Sequence, residues 1–160
     1  MSGSLVGGFE DLHVVFALEA LHPRVEEALA LGGANKIYGE LLVDRESFTD
    51  AASLDALVVP GGWAPDKLRR STVVLDLVRA VHARGAIVGM ICHAGWVGIS
   101  AGIVKGSRAT GSLGIKDDLE NAGATWVDEP AFRDGNLVWG RVVEDIPAWC
   151  AVLVEAIERG

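Results

Sequence analysis

Two stretches of this chain, "ALVVP" at 56–60 and "AIVGMI" at 86–91, are apolar wherever they carry a side chain. A strand with one wet face alternates apolar and polar residues, whereas a strand covered on both faces has no such need. These runs therefore call for a sheet with helices packed against each side, the arrangement of parallel α/β proteins. The segment between them has the form that such a connection requires. Ser71 is placed to cap a helix over "TVVLDLVRAVHARG", with Val74, Leu77, Val78 and Val81 as its apolar stripe and Gly85 as its stop. Strand, helix and strand at this spacing form a right-handed crossover unit.

Downstream, a second helix follows Cys92 and a third covers "IKDDLENAG", ended by Gly123. "TWV" reads as a short strand, and "AFRDGNLVW" as a hairpin turning on Asp134 and Gly135. The last helix starts near Asp145, accommodates Pro147 in its first turn and runs to "VLVEAIERG". Upstream, "LHVVFALEAL" at 12–21 reads as a helix, while "RVEEALALGG" at 24–33 fits helix or strand. The alternation gives an α/β class, three layers, and one domain over residues 1–160. Half of the 160 residues are apolar, enough for a sizeable core.

Composition removes several function classes. A formal net charge of -8 repels phosphate backbones, so no nucleic-acid partner is expected. No run approaches the ~18 apolar residues of a membrane span, and "MSGSLVGGFED" lacks the basic start of a signal peptide. Two cysteines, Cys92 and Cys150, make no disulfide framework and point to a reducing cytoplasm. The histidines (13, 22, 82 and 93) show no metal-ligand spacing, so neither a metal nor another cofactor is expected. "GSLGIKDD" and "LGGANK" lack the ending of a phosphate loop.

Chemistry concentrates at "AIVGMICHAGWVGISAG", residues 86–102. In open α/β sheets, sites gather at the carboxyl ends of the strands. Cys92 falls where a strand ends and a helix begins, and there free backbone N–H groups favour a thiolate. Ala94, Gly95 and Gly98 permit a tight elbow, which would give Cys92 a positive φ. The G-x-S-x-G spacing itself is absent, since Met90 and Ala94 occupy its glycine positions. The residues alone leave two readings of Cys92 open, a nucleophile or a buried small hydrophobe.

"DALVVPGGWAPDKLR", "ICHAG", "AGIVKGSRATG", "IKDDLENAGATWVDE", and "DGNLVWGR" with "DIPAW" follow one another across residues 54–155. This ordered set resembles the ThiJ/PfpI superfamily, and most closely its PfpI-like intracellular-protease branch. The resemblance implies a flavodoxin-like three-layer α/β/α sandwich with a mostly parallel central sheet, and a nucleophilic Cys92 on an elbow. It implies that His93 takes the thiol proton and that Asp66, from a neighbouring subunit, orients the imidazole. A homo-oligomer, dimer or larger, follows from that assignment. Without the resemblance, Asp66 reads as a carboxylate favouring a helix N-terminus. Gly61 and Gly62, with the N–H of His93, would supply oxyanion donors, although a Gly-Gly pair alone reads as a turn. Trp63 and Trp96 flank this region, while Trp126, Trp139, Trp149 and Cys150 read as packing.

The opening departs from the family pattern. "GFEDLH" keeps Glu10 and Asp11, but the position matching the carboxylic acid beside the sulfur is His13. An imidazolium there would attract the thiolate directly, and if its ring points elsewhere, Glu10 is the nearest acidic candidate. Read alone, His13 is equally a surface or core histidine. The combined reading is a cysteine-dependent hydrolase acting on an amide or other carbonyl centre of a small-molecule, peptide or glycated substrate. Protease, amidase, deglycase and glyoxalase activities all stay open. Its rivals are a non-catalytic stress or redox-sensing oligomer with an oxidisable Cys92, and a small-ligand binding module that keeps only the fold.

Overall fold

The computed structural model describes the backbone of Val14–Phe16 and all of residues 54–159. Among the described residues, the main sheet has five strands in the order β1 (Val14–Phe16), β2 (Ala56–Val59), β3 (Ile87–Ile91), β7 (Leu137–Gly140) and β6 (Ala131–Asp134). Strands β1, β2, β3 and β7 are mutually parallel, and β6 pairs antiparallel with β7. A separate two-stranded parallel sheet joins β4 (Arg108–Ala109) to β5 (Thr125–Trp126). The helices among the described residues are α1 (Ala64–Leu68), α2 (Thr72–Ala83), α3 (Gly95–Ala101), α4 (Lys116–Asn121) and α5 (Ile146–Arg159).

The unbroken apolarity of β2 and β3 has the cause inferred from the sequence. Side chains alternate between faces along a strand, and here both faces are covered. Leu57, Val59, Val88, Met90, Leu137 and Trp139 join Val74, Val78 and Val81 of α2, Val97 of α3 and Leu119 of α4 in one core cluster. Ala56, Val58, Ile87, Ile91 and Val138 pack against Trp149, Leu153 and Ala156 of α5 in another. The result is a mostly parallel, flavodoxin-like α/β sandwich.

Helix boundaries follow their signals. The Ser71 hydroxyl accepts from the Val74 amide at 3.5 Å, and Gly85 ends the α2 region at φ 81°. Trp139 and Trp149 are buried, and Trp126 is half-buried against the core, as their packing roles require.

Three expectations need correction. The segment 12–21 was expected to be helical, yet Val14–Phe16 forms the strand β1, parallel to β2. Its β-branched and aromatic residues favour a strand, and pairing with β2 outweighs the helical propensity of the flanking Ala and Leu. The hairpin turns on Gly135 and Asn136, because Asp134 stays in the ladder opposite Leu137. Gly135 supplies the positive φ, 60°, that a tight hairpin needs. Finally, Cys150 is exposed. The buried stripe of α5 is Trp149, Leu153 and Ala156, and a residue one step on is rotated about 100° away from it.

Asn136 has a role that its place in a turn does not announce. Its amide nitrogen donates to the carbonyls of His82 at 3.0 Å and Ala86 at 2.7 Å. Its own carbonyl accepts from the Val88 amide at 2.8 Å. One residue thus ties the end of α2, the entry to β3 and the hairpin together. Beyond β7, the Arg141 guanidinium donates to Asp145 at 2.9 Å and Asp128 at 2.7 Å, and these hydrogen bonds hold its pKa above the usual arginine range. We expect Asn136→Ala to destabilise the chain by about 1–3 kcal/mol, since it leaves the part-buried Ala86 carbonyl without its side-chain donor and the His82 carbonyl with the Gly85 amide alone. Urea unfolding of the variant against the parent checks this.

Candidate active site

Parallel pairing aligns the carboxyl ends of neighbouring strands, and the register decides which residues meet there. Val59 of β2 lies opposite Met90 of β3, so two residues further along Gly61 comes beside Cys92. The approach is close enough to require glycine. A Cβ at Gly61 would stand 2.7 Å from the Cys92 Cβ and 2.9 Å from the Ile91 carbonyl oxygen.

On its other side, the Cys92 carbonyl accepts from the Ser112 amide at 3.2 Å. A Cβ at Gly111 would fall 2.6 Å from that same carbonyl oxygen. Held between these two segments, Cys92 adopts φ 59°, and among the described residues no other non-glycine residue has a positive φ. Left-handed backbone costs an L-residue about 1–2 kcal/mol. The chain then runs through a 3₁₀ turn, Cys92–Ala94, directly into α3. This is the elbow anticipated from the small residues after Cys92.

The half-buried Cys92 sulfur lies 3.2 Å from Nδ1 of His93. The imidazole neighbours two indoles. The Trp63 ring is stacked 6.4 Å away at 18°, and the Trp96 ring is tilted at 55° with its centroid 5.1 Å away. Trp63 itself is 68% exposed. The opposite ring nitrogen, Nε2, faces the Gly111–Gly114 loop, where a Cβ at Gly114 would stand 4.0 Å from it.

Cys92, His93, Gly61 and Trp63 are therefore brought together, and Gly62 continues the same turn at φ 73°. Asp66 is engaged elsewhere in its own chain. Both its carboxylate oxygens accept from Nη2 of Arg70 at 2.8 Å, an i,i+4 pair on the surface. His13 and Glu10 lie outside the described residues. Among the described residues no cluster of His, Cys, Asp and Glu is arranged to hold a metal ion, and no helix is long and apolar enough to cross a membrane. Sequence reasoning passed over the Gly111–Gly114 loop as a failed phosphate loop. The signal it carried was the pair of glycines, which lets backbone approach the elbow at one end and leaves space beside the imidazole at the other.

A mostly parallel α/β sheet with a strained cysteine at its carboxyl edge, paired to the histidine that follows, defines a class of elbow-cysteine proteins. The chain belongs to the DJ-1/PfpI family, whose model matches residues 8–156. It is 41% identical to a deglycase of Pyrococcus abyssi over 160 residues, covering 94% of each chain. It is 39% identical over 104 residues to the deglycase PfpI of Pyrococcus furiosus, covering 65% of this chain and 63% of that one. Among solved structures, a two-domain Anabaena variabilis protein with DJ-1/ThiJ/PfpI-like and ferritin-like domains superposes with a TM-score of 0.65 at 37% identity. That match covers 67% of this chain and 31% of the other.

The strain at Cys92 is measurable. Cys92→Gly should be more stable than Cys92→Ala by up to about 1.5 kcal/mol, the relief of roughly 1–2 kcal/mol of left-handed strain less roughly 0.5–1 kcal/mol of added glycine entropy. Gly61→Ala should cost about 1–3 kcal/mol, because its methyl meets the backbone and Cβ of the elbow. Denaturant unfolding of the three variants tests both statements.

Proposed function

We propose that this chain is a cysteine-dependent hydrolase that cleaves carbonyl-derived adducts or amides, with glycated amines as its leading substrate class. The observation that carries the reading is the 3.2 Å contact between the Cys92 sulfur and His93 Nδ1 on a strained corner. The names of the two Pyrococcus relatives, both deglycases, support the choice of substrate class. In this reading, with an amine glycated by a 2-oxoaldehyde, sulfur displaces the amine from the hemiaminal carbon and His93 passes the thiol proton to that amine. A proton shift from the resulting hemithioacetal carbon to the neighbouring ketone carbon then gives a thioester. With an amide, Nδ1 takes the thiol proton as sulfur attacks the carbonyl carbon. The resulting oxyanion is held by backbone N–H groups of the Gly61–Gly62 turn and of His93. The imidazolium then returns its proton to the departing amine as the carbon–nitrogen bond breaks. Water attacks the thioester, His93 accepts its proton, and the carboxylic acid leaves with the thiol restored.

Asp66 acts, in this proposal, on the imidazole of a neighbouring subunit, which makes the active form an oligomer. Its pairing with Arg70 is no obstacle. Both partners are substantially exposed, 72% for Arg70 and 40% for Asp66, and exposed pairs contribute only about 0–1 kcal/mol. Exchanging that partner for an imidazolium costs little.

Two experiments test the reading. Amine release from a peptide glycated by a 2-oxoaldehyde, and from a peptide anilide, is followed for the parent, Cys92→Ser and His93→Ala. Loss of about 10²-fold or more in both variants is expected from removal of nucleophile and base. Reversible sulfenate formation at Cys92 with no turnover of either substrate would instead make the protein a redox sensor. Second, Cys92→Ala and Asp66→Asn subunits, each inactive alone, should regain activity when co-assembled, since one mixed site then receives both intact groups. Failure to regain it in proven mixed oligomers removes Asp66 from the mechanism.

A further inference from the structure

An imidazole cannot hold itself against the sulfur of the preceding residue. His93 has two freely rotating side-chain torsions, and only one narrow combination turns Nδ1 back onto Cys92. Something outside the Cys92–His93 dipeptide must select it. One neighbour of the imidazole is Trp63, largely open to solvent. The other is Trp96, three residues along in the first turn of α3. Its centroid distance of 5.1 Å and tilt of 55° fall in the range aromatic rings prefer for edge-to-face contact.

A wall positions a neighbour only if it is itself fixed, and Trp96 is held from two further elements. Its indole N–H donates to the Asp118 carboxylate of α4 at 2.7 Å, a charge-assisted hydrogen bond. The guanidinium of Arg69, at the end of α1, lies over the indole 5.6 Å from its centroid. Arg69 is in turn anchored through Nε to the Ser100 hydroxyl of α3 at 3.0 Å. Segments from α1, α3 and α4 therefore converge on one indole, and that indole abuts the imidazole.

We infer that Trp96, braced by Asp118 and Arg69, is a positioning residue that holds the His93 imidazole against the Cys92 sulfur. The inference rests on the reading of His93 as the base for Cys92. None of the three touches the reacting atoms; they act through the imidazole. Asp118 is exposed, so its removal takes little from the core.

The test is the rate at which iodoacetamide alkylates Cys92 near neutral pH, in the full chain carrying Cys150→Ser, because Cys150 is exposed and would also react. Urea midpoints are measured in parallel. Asp118→Ala and Trp96→Leu should each slow labelling by roughly tenfold, short of the about 10²-fold that a 1 Å misplacement can cost. Asp118→Asn, whose amide oxygen still accepts from the indole, should restore a rate close to the Cys150→Ser parent, which loss of bulk stability would not explain. His93→Ala is the reference. If it slows labelling and Asp118→Ala does not, the brace is overturned while the thiol–imidazole pair stands. If His93→Ala labels at the parent rate, the imidazole does not assist the thiol, and the proposed function falls together with this inference.

Discussion

Everything at the candidate site depends on the parallel ladder between β2 and β3. Their register places the turn after β2 against the corner after β3, so the contact between Gly61 and Cys92 is set by hydrogen bonds between strands and not by loop preference. Loops drift easily, whereas a ladder shifts only in whole residues, and a slip of one would exchange every β2 side chain between the two core clusters it is packed into. The elbow is therefore positioned by the most strongly specified part of the molecule. The Ser112 amide closes the other side, and Cys92 is left no relaxed alternative.

Strain of this kind persists only when the surroundings outweigh it. The left-handed conformation costs about 1–2 kcal/mol, while fully burying one Val or Leu side chain contributes about 1.5–3 kcal/mol. Met90 and Ile91 before the corner and Ala94 and Val97 after it are all buried. Their anchorage exceeds the penalty at the residue between them. Polar groups of the site are correspondingly few and lie toward the surface, where the imidazole, two indoles and an exposed carboxylate meet.

Much of this was legible in the sequence, and for identifiable reasons. Apolar runs at 56–60 and 86–91 announced a sheet buried on both faces, the Ser71 to Gly85 pattern announced α2, and the small residues after Cys92 announced the corner. The family motifs placed Cys92, His93, Gly61 and Trp63 in one region, where the structure also has them. What escaped was long-range or ambiguous. Val14–Phe16 has a pairing partner forty residues away, which local propensity does not see. Trp96 and Asp118 join side chains from different helices, and Asn136 reaches carbonyls fifty or more positions back. Cys150 illustrates the opposite limit, since a neighbour in sequence to a buried tryptophan points away from it on a helix.

The Asn136 junction lies where β3 and β7 begin, and the thiol lies where β3 ends. A parallel sheet gives the molecule two poles, one for tethering and one for chemistry. Sites that far apart, sharing no partners, change stability nearly additively. Variation can therefore strengthen or relax the tethered pole to compensate for changes near the thiol without disturbing the geometry of the sulfur and imidazole. Specificity is then free to diversify along one rim of the sheet while the other rim keeps the chain folded.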